Sequence, residues 1–124
     1  MFEYYNPHPK GIKTCDCVVR AISIATGKDY LECRRELNRL KKEIGEKSYK
    51  TLPFLKKYLS RYSKISLQPG KGGKRVRGIN FTELYPKGTY ILNMKRHLVA
   101  CVDGKILDIW DSSDRIIYSA WIIS

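Results

Sequence analysis

The stretch Thr14-Cys15-Asp16-Cys17-Val18-Val19-Arg20-Ala21-Ile22-Ser23-Ile24-Ala25-Thr26-Gly27 predicts a helix through the middle of the fold. Thr14 or Asp16 can cap its first turn with a side-chain oxygen, and Gly27 suits the position just past its end. Arg20 is the one charged residue between these ends, so the helix lacks a wide polar face and we expect it to be buried. At the start of such a helix the dipole favours thiolate over thiol, which makes a cysteine there a better nucleophile.

Length and composition favour one domain over residues 1–124 without a membrane anchor. The 124 residues are 43% hydrophobic, enough for a single core. No run approaches the roughly 18 apolar residues of a membrane span, and the first residues lack the basic-then-apolar order of a signal peptide. We therefore expect a cytoplasmic protein whose four cysteines are thiols rather than a disulfide framework.

The net charge of +12 favours an anionic partner. An acidic protein surface, nucleic acid and an anionic cell-wall polymer all fit it, as does a solvated surface that keeps the protein in solution. The segment 69–78 is rich in glycine and basic residues and predicts a charged loop. Its candidate anion-binding residues are Lys71, Lys74, Arg75 and Arg77.

Helical patterns dominate the first half of the chain. Residues 1–13 predict an extended arm. Asp29 can cap a second helix, whose apolar stripe includes a buried Cys33, and Thr51 can cap a third, shorter helix with Pro53 in its first turn. A short strand is expected around Ile65 and Leu67.

Strand patterns dominate the second half. After one helical turn at 80–85, strands are predicted at 89–94, 97–102, 105–110 and 116–123, with Asp103-Gly104 as a hairpin turn between the second and third. We expect Trp110 and Trp121 to be core residues of the sheet. The order predicts an α+β fold in which the buried cysteine helix packs on a C-terminal antiparallel sheet.

The hairpin brings a candidate base close to two candidate carboxylates. A two-residue turn places His97 opposite Trp110, and Asp108 then shares a face with His97 on a diagonal. Asp111 follows where the strand ends, and a bulge there would turn it inward. A nucleophilic cysteine needs a base and usually a group that orients that base, so Cys17, His97 and either carboxylate form a candidate triad.

Several motifs resemble the papain-like-fold cysteine peptidases, in particular small phage and prophage members related to the leader peptidases of bacteriocin exporters. The matching segments are Asp16-Cys17-Val18-Val19-Arg20-Ala21, Ala25-Thr26-Gly27, Gly88-Thr89-Tyr90-Ile91, His97-Leu98-Val99-Ala100-Cys101-Val102-Asp103-Gly104 and Asp108-Ile109-Trp110-Asp111-Ser112-Ser113. The order of these segments, with cysteine first, histidine at a strand start and aspartate at the end of the next strand, is what carries the resemblance.

The resemblance implies a papain-like fold and hydrolysis, or a related acyl transfer, of an amide bond in a peptide or protein substrate. It implies Cys17 as nucleophile, His97 as base and Asp111 as the orienting acid, with Asp108 second. In such enzymes a Gln about six residues before the cysteine binds the oxyanion. Gly11 and Ile12 occupy that region here, which leaves Asn6 as the upstream amide.

Two other interpretations of these residues compete with the triad. Cys15-x-Cys17 with the two histidines could bind a metal, but there is no second Cys pair, and we expect no metal and no cofactor. The other is an inactive papain-like scaffold, for instance a phage inhibitor, that binds an acidic protein or nucleic acid. The net charge of +12 and the missing upstream Gln favour it.

Overall fold

Helices pack on a mixed six-stranded sheet in the computed structural model, which describes residues 1–67 and 73–124 and gives an α+β fold. The helices are α1 (Cys17–Thr26), α2 (Tyr30–Ile44), α3 (Leu52–Leu59) and α4 (Gly78–Leu84). The strands are β1 (Phe2–Tyr4), β2 (Ser63–Ile65), β3 (Thr89–Met94), β4 (His97–Val102), β5 (Lys105–Asp108) and β6 (Ile117–Ile122). Their order across the sheet is β1-β5-β4-β3-β6-β2.

The C-terminal strands pair antiparallel as expected, but the N-terminal arm adds a parallel edge strand, so the sheet is mixed. Phe2 pairs with Ile106 and Tyr4 with Asp108, so β1 runs parallel to β5. The backbone N–H of Tyr5 continues this edge by donating to the Asp108 carbonyl at 2.9 Å. The arm thus satisfies backbone groups on the far side of β5, which would otherwise be an open edge.

The cysteine helix forms where it was predicted, but its start is not capped as expected. It packs on β4, and the residues from Val18 to Ser23 are buried. Gly27 ends it in the left-handed region at φ 74°. Asp16 occupies the N-cap position, but its side chain does not bond to the helix backbone, because the carboxylate binds Arg20 and Tyr30 instead.

The second and third helices confirm their predicted caps. The Asp29 carboxylate accepts hydrogen bonds from two backbone N–H groups of α2, and the Thr51 hydroxyl accepts one from Phe54 at 3.3 Å. Cys33 is buried at 2% exposure and its sulfur lies 3.9 Å from the Val19 carbonyl oxygen, as expected of a core residue.

The sheet separates two apolar clusters. One joins α1, α2 and α3 to the sheet through residues such as Ile22, Phe54 and Leu98. The other lies on the opposite face, where Phe81 of α4 packs against residues such as Leu92. Period-two alternation along β3 and β4 divides the buried side chains between these clusters.

The predicted hairpin is confirmed, although its second strand is shorter than expected. Asp103 and Gly104 both have positive φ, 48° and 76°, as a type I′ turn requires. Val102 pairs with Lys105 as a result. β5 ends at Asp108 rather than at Trp110, and Trp110 is 39% exposed, so its expected place in the core is wrong. Trp121, at 5% exposure, is a core residue as expected.

Within residues 1–67 and 73–124, no helix has the length and apolar character to cross a membrane.

Candidate active site

Cys17 is the first residue of α1 and stands half-buried at the wall of a cleft. Burial by itself would raise the pKa of its thiol. Hydrogen bonds to the His97 side chain and to the backbone of Leu98, together with the charges of His97 and Arg20, outweigh burial and lower that pKa below its ordinary 9.0. These contacts therefore favour the thiolate form of Cys17 over the thiol.

His97 is the first residue of β4 and lies between the thiol and a carboxylate. It follows a tight turn in which Arg96 has φ 52°, and its ring packs against Trp110 with centroids 4.7 Å apart. Nε2 hydrogen-bonds to Asp108 Oδ2 at 2.6 Å. Burial lowers the pKa of His97, but hydrogen bonds to Asp108 and Cys17 and the charges of both outweigh it and raise the pKa from 6.5 to about 9. An imidazolium facing a thiolate is the arrangement these directions favour.

Asp108, and not Asp111, is the carboxylate that contacts the histidine. Asp108 is 2% exposed and also accepts hydrogen bonds from the Ile109 backbone at 2.8 Å and from the Ser112 hydroxyl at 3.0 Å. Burial would raise its pKa, but the contact with His97 and these other bonds lower it overall.

The structure does not bring Asp111, the carboxylate that the resemblance favoured, to the histidine. Its carboxylate points to solvent and accepts from the Ser113 backbone and hydroxyl, at 3.0 and 2.5 Å. Since β5 already ends at Asp108, no bulge turns Asp111 inward.

Arg20 links the start of the cysteine helix to the carboxylate behind the histidine. Its guanidinium binds the Asp16 carboxylate one turn earlier, donates to the Thr14 carbonyl at 3.1 Å and reaches Asp108 Oδ1 at 3.3 Å. Tyr30 donates its hydroxyl to Asp16 at 2.5 Å. This role of Arg20 was not predicted, although an arginine alone on an apolar helix, four residues after an aspartate, is a signal for it.

Asn6, the expected oxyanion amide, does not line the cleft, and the structure does not bring it together with Cys17 and His97. Its amide nitrogen donates to the Ile12 carbonyl at 3.1 Å, and its oxygen accepts from the His8 backbone at 3.1 Å. Both ends of the side chain thus close a turn in the arm.

The cleft beside Cys17 and His97 has a volume of about 1000 Å³. Its walls come from the segment before α1, the start of α3 and the turn between β3 and β4. Cys15 also faces it, and Lys50 donates to the Cys15 carbonyl at 2.6 Å. A cleft of this size is at the upper end of the range of ligand-binding pockets, roughly 300–1,000 Å³.

Of the predicted anion-binding residues, Lys74, Arg75 and Arg77 do not line this cleft, although Arg75 stands beside its Tyr118. Lys71 falls outside the described residues, and Lys74 is exposed. The Arg75 guanidinium lies 5.9 Å from the Tyr118 ring centroid. Arg77 donates to the Asp114 carbonyl at 2.5 Å.

No group of three or more metal-ligating side chains occurs among the described residues. All four cysteines, which the structure describes, are free thiols.

Searches with this chain against protein-family models, curated proteins and solved structures find no match.

Proposed function

We propose that this protein is a papain-like cysteine hydrolase that cleaves an amide bond, or transfers its acyl group, through Cys17, His97 and Asp108. The observation that carries the proposal is the position of His97, hydrogen-bonded to a half-buried thiol on one side and to a buried carboxylate on the other. That is the geometry of a nucleophile, its base and the group that orients the base.

The chemistry follows from these three side chains. The Cys17 thiolate attacks the carbonyl carbon, and the carbonyl oxygen takes the displaced electron pair. The His97 imidazolium gives its proton to the leaving amine as the C–N bond breaks, which leaves a thioester on Cys17. His97 then removes a proton from water, the hydroxide attacks the thioester, and the thiolate leaves with the carboxylic acid product. Asp108 orients the His97 ring throughout and stabilises the imidazolium whenever the ring carries the second proton.

The backbone N–H of Cys17 is the group we propose as an oxyanion donor. It lies at the positive end of α1, and no side chain of a described residue caps this helix. The Asp16 carboxylate binds Arg20 and Tyr30 rather than the first turn of α1. A bound oxyanion would therefore accept the hydrogen bond that a capping side chain usually accepts.

Thiol labelling tests the proposed nucleophile. Iodoacetamide near neutral pH, followed by peptide mapping, should modify Cys17 fastest, because burial raises the pKa of Cys33 and of Cys101 to about 11. Cys17→Ala should abolish the fast phase, and the matched variant Cys15→Ala should keep it. A fast phase that maps to Cys15 would contradict the assignment.

Amide hydrolysis is tested separately with a peptide library read by mass spectrometry. Cleavage that is lost in Cys17→Ala and in His97→Ala supports the proposal. A reactive Cys17 with no cleavage of any peptide would point to the competing function, an inactive papain-like scaffold that binds an acidic protein or nucleic acid through its +12 charge. Such binding would weaken with salt and survive Cys17→Ala.

Because the nucleophile works as a reduced thiol and all four cysteines are free, we place the reaction in a reducing compartment. We propose the cytoplasm as that compartment, or the host cytoplasm for a phage-encoded chain.

A further inference from the structure

The cleft beside Cys17 has a one-sided charge. Four exposed basic side chains line it: Lys13, Lys50, Lys95 and Arg96. No Asp or Glu among the described residues lines it.

These cations keep their charge available to a ligand. None of the four forms an ion pair with a described residue, in contrast to Arg20, whose charge is balanced by Asp16 and Asp108. Lys50 is held in place by the Cys15 carbonyl, and Lys13 lies 5.4 Å from the Tyr4 ring centroid. Like charges around a cleft focus the field into it and attract an oppositely charged ligand.

The surface between the cations is apolar. Leu52, Leu55 and Leu98 contribute to it next to the thiol, and Leu52 is 47% exposed although it is a large aliphatic residue. An exposed aliphatic side chain in a concave site gives a ligand's apolar side chain something to pack against.

The two aromatic side chains of the cleft are less suited to stacking on a base. The Arg115 guanidinium lies 5.4 Å from the Trp110 ring centroid, and the Arg75 guanidinium lies 5.9 Å from that of Tyr118. A nucleobase would compete with these cations for the rings, whereas a peptide needs neither face.

We infer that the substrate is an acidic peptide segment, in which an apolar side chain beside the scissile bond packs on the leucines and neighbouring carboxylates bind the four cations. This inference rests on the proposed function, because it takes Cys17 as the reacting atom. It adds the class of substrate, which the triad alone does not specify.

Two alkylating reagents, one anionic and one neutral, test the electrostatic field at Cys17 without a known substrate. Rates with anionic iodoacetate and neutral iodoacetamide are compared in a Cys15→Ser background, and their ratio cancels changes in thiol reactivity. The test variant carries Lys13→Gln, Lys95→Gln and Arg96→Gln. The matched control carries Lys42→Gln, Lys47→Gln and Lys87→Gln, which remove three exposed charges that do not line the cleft.

Each charge at about 10 Å in water changes an encounter rate about twofold, so we expect the ratio to fall about tenfold in the cleft variant at low salt. In the control it should stay within about twofold. In the unmodified cleft, about 0.5 M salt should reduce the ratio in the same direction, which provides a second measurement if the triple variant folds poorly.

Recognition of a peptide is tested with two peptidyl chloromethyl ketones that share a leucine next to the reactive group and carry either glutamates or glutamines around it. We expect the glutamate reagent to label Cys17 about tenfold faster.

Equal rates with the two peptide reagents, or a ratio of iodoacetate to iodoacetamide rates that is the same in both variants, would overturn the inference and leave the proposed nucleophile intact. Alkylation of Cys17 is also measured with either a single-stranded oligonucleotide or an unreactive peptide of the glutamate sequence as competitor. Stronger protection of Cys17 by the oligonucleotide would overturn the inference in favour of nucleic acid. Failure of iodoacetamide to label Cys17 in preference to Cys33 and Cys101 would instead overturn the proposed function.

Discussion

Replacing Asp108 with Asn removes the charge that keeps His97 protonated, and the structure allows the effect to be sized. Asp108 Oδ2 lies 2.6 Å from Nε2, and the carboxylate is 2% exposed, so water has little access to replace it. Against the lowering effect of burial, Asp108 and Cys17 raise the pKa of His97 from 6.5 to about 9. The difference, 9 − 6.5, is about 2.5 units, or ~3 kcal/mol. Asp108 is the first of the contacts that raise this pKa, so its loss should lower the pKa of His97 by roughly one unit. A less stable imidazolium favours the thiolate less, so the pKa of Cys17 should rise.

The assay is the rate of Cys17 alkylation by iodoacetamide across pH in a Cys15→Ser background. Because the thiolate is the reacting species, Asp108→Asn should slow alkylation about tenfold below about pH 7 and leave it unchanged near pH 10, where the thiol is ionised in both proteins. Asp111→Asn is the matched control, since its carboxylate is exposed and bonds only to Ser113 among the described residues. Superimposable pH profiles for the two variants, or slower alkylation in Asp111→Asn, would refute the reasoning.

Three further changes probe the network, the titration and the packing. Arg20→Met removes the guanidinium from two buried carboxylates and leaves Asp16 without a counter-charge, so it should lower the free energy of unfolding in urea by ~3–5 kcal/mol; an unchanged midpoint would show that Arg20 does not stabilise them. His97, with its raised pKa, adds stability that is complete below pH 6.5 and is lost as pH rises through the folded-state value. In the native protein the proton that His97 gains is the one that Cys17 loses, so the free energy of unfolding in urea should not decline over this pH window. In Cys17→Ala, which has no thiol to supply that proton, it should decline. An equal decline in the double variant Cys17→Ala with His97→Asn would exclude His97 as the cause. Gly78→Ala would place a Cβ 2.7 Å from Ile106 Cδ1 and 3.0 Å from the Ser113 carbonyl oxygen, and should lower the thermal midpoint by ~5–10 °C, whereas an unchanged midpoint would mean that the backbone yields there.

Local chemistry was enough to predict the elements that carry the nucleophile and the base. The cysteine helix was predictable because an apolar run between a cap position and Gly27 satisfies its own backbone bonds and needs burial on every side. The hairpin after His97 was predictable because Asp103-Gly104 accepts the two positive φ angles of a type I′ turn. That turn also sets which residues lie across from one another, so Asp108 emerged as a candidate from spacing alone.

The choice between Asp108 and Asp111 was decided by tertiary structure. Resemblance favoured Asp111, but β5 ends at Asp108 as β1 pairs along its outer edge, and Arg20 arrives from α1 to balance the buried charge. The pairing of β1 with β5 joins residues about a hundred positions apart, and the contact of Arg20 with Asp108 joins residues about ninety positions apart. No local pattern encodes contacts at such separations.

The sequence by itself thus determined a buried helix that starts with a thiol and a hairpin that starts with a histidine, because backbone geometry and hydrophobic period act over a few residues. Tertiary structure alone decided which carboxylate contacts the histidine and which groups the Asp16 side chain binds. It also decided that four cations with no ion-pair partner among the described residues line the cleft beside Cys17. Charges so far apart in the chain meet only after folding, so net charge predicted an anionic partner but not the cleft in which it would bind.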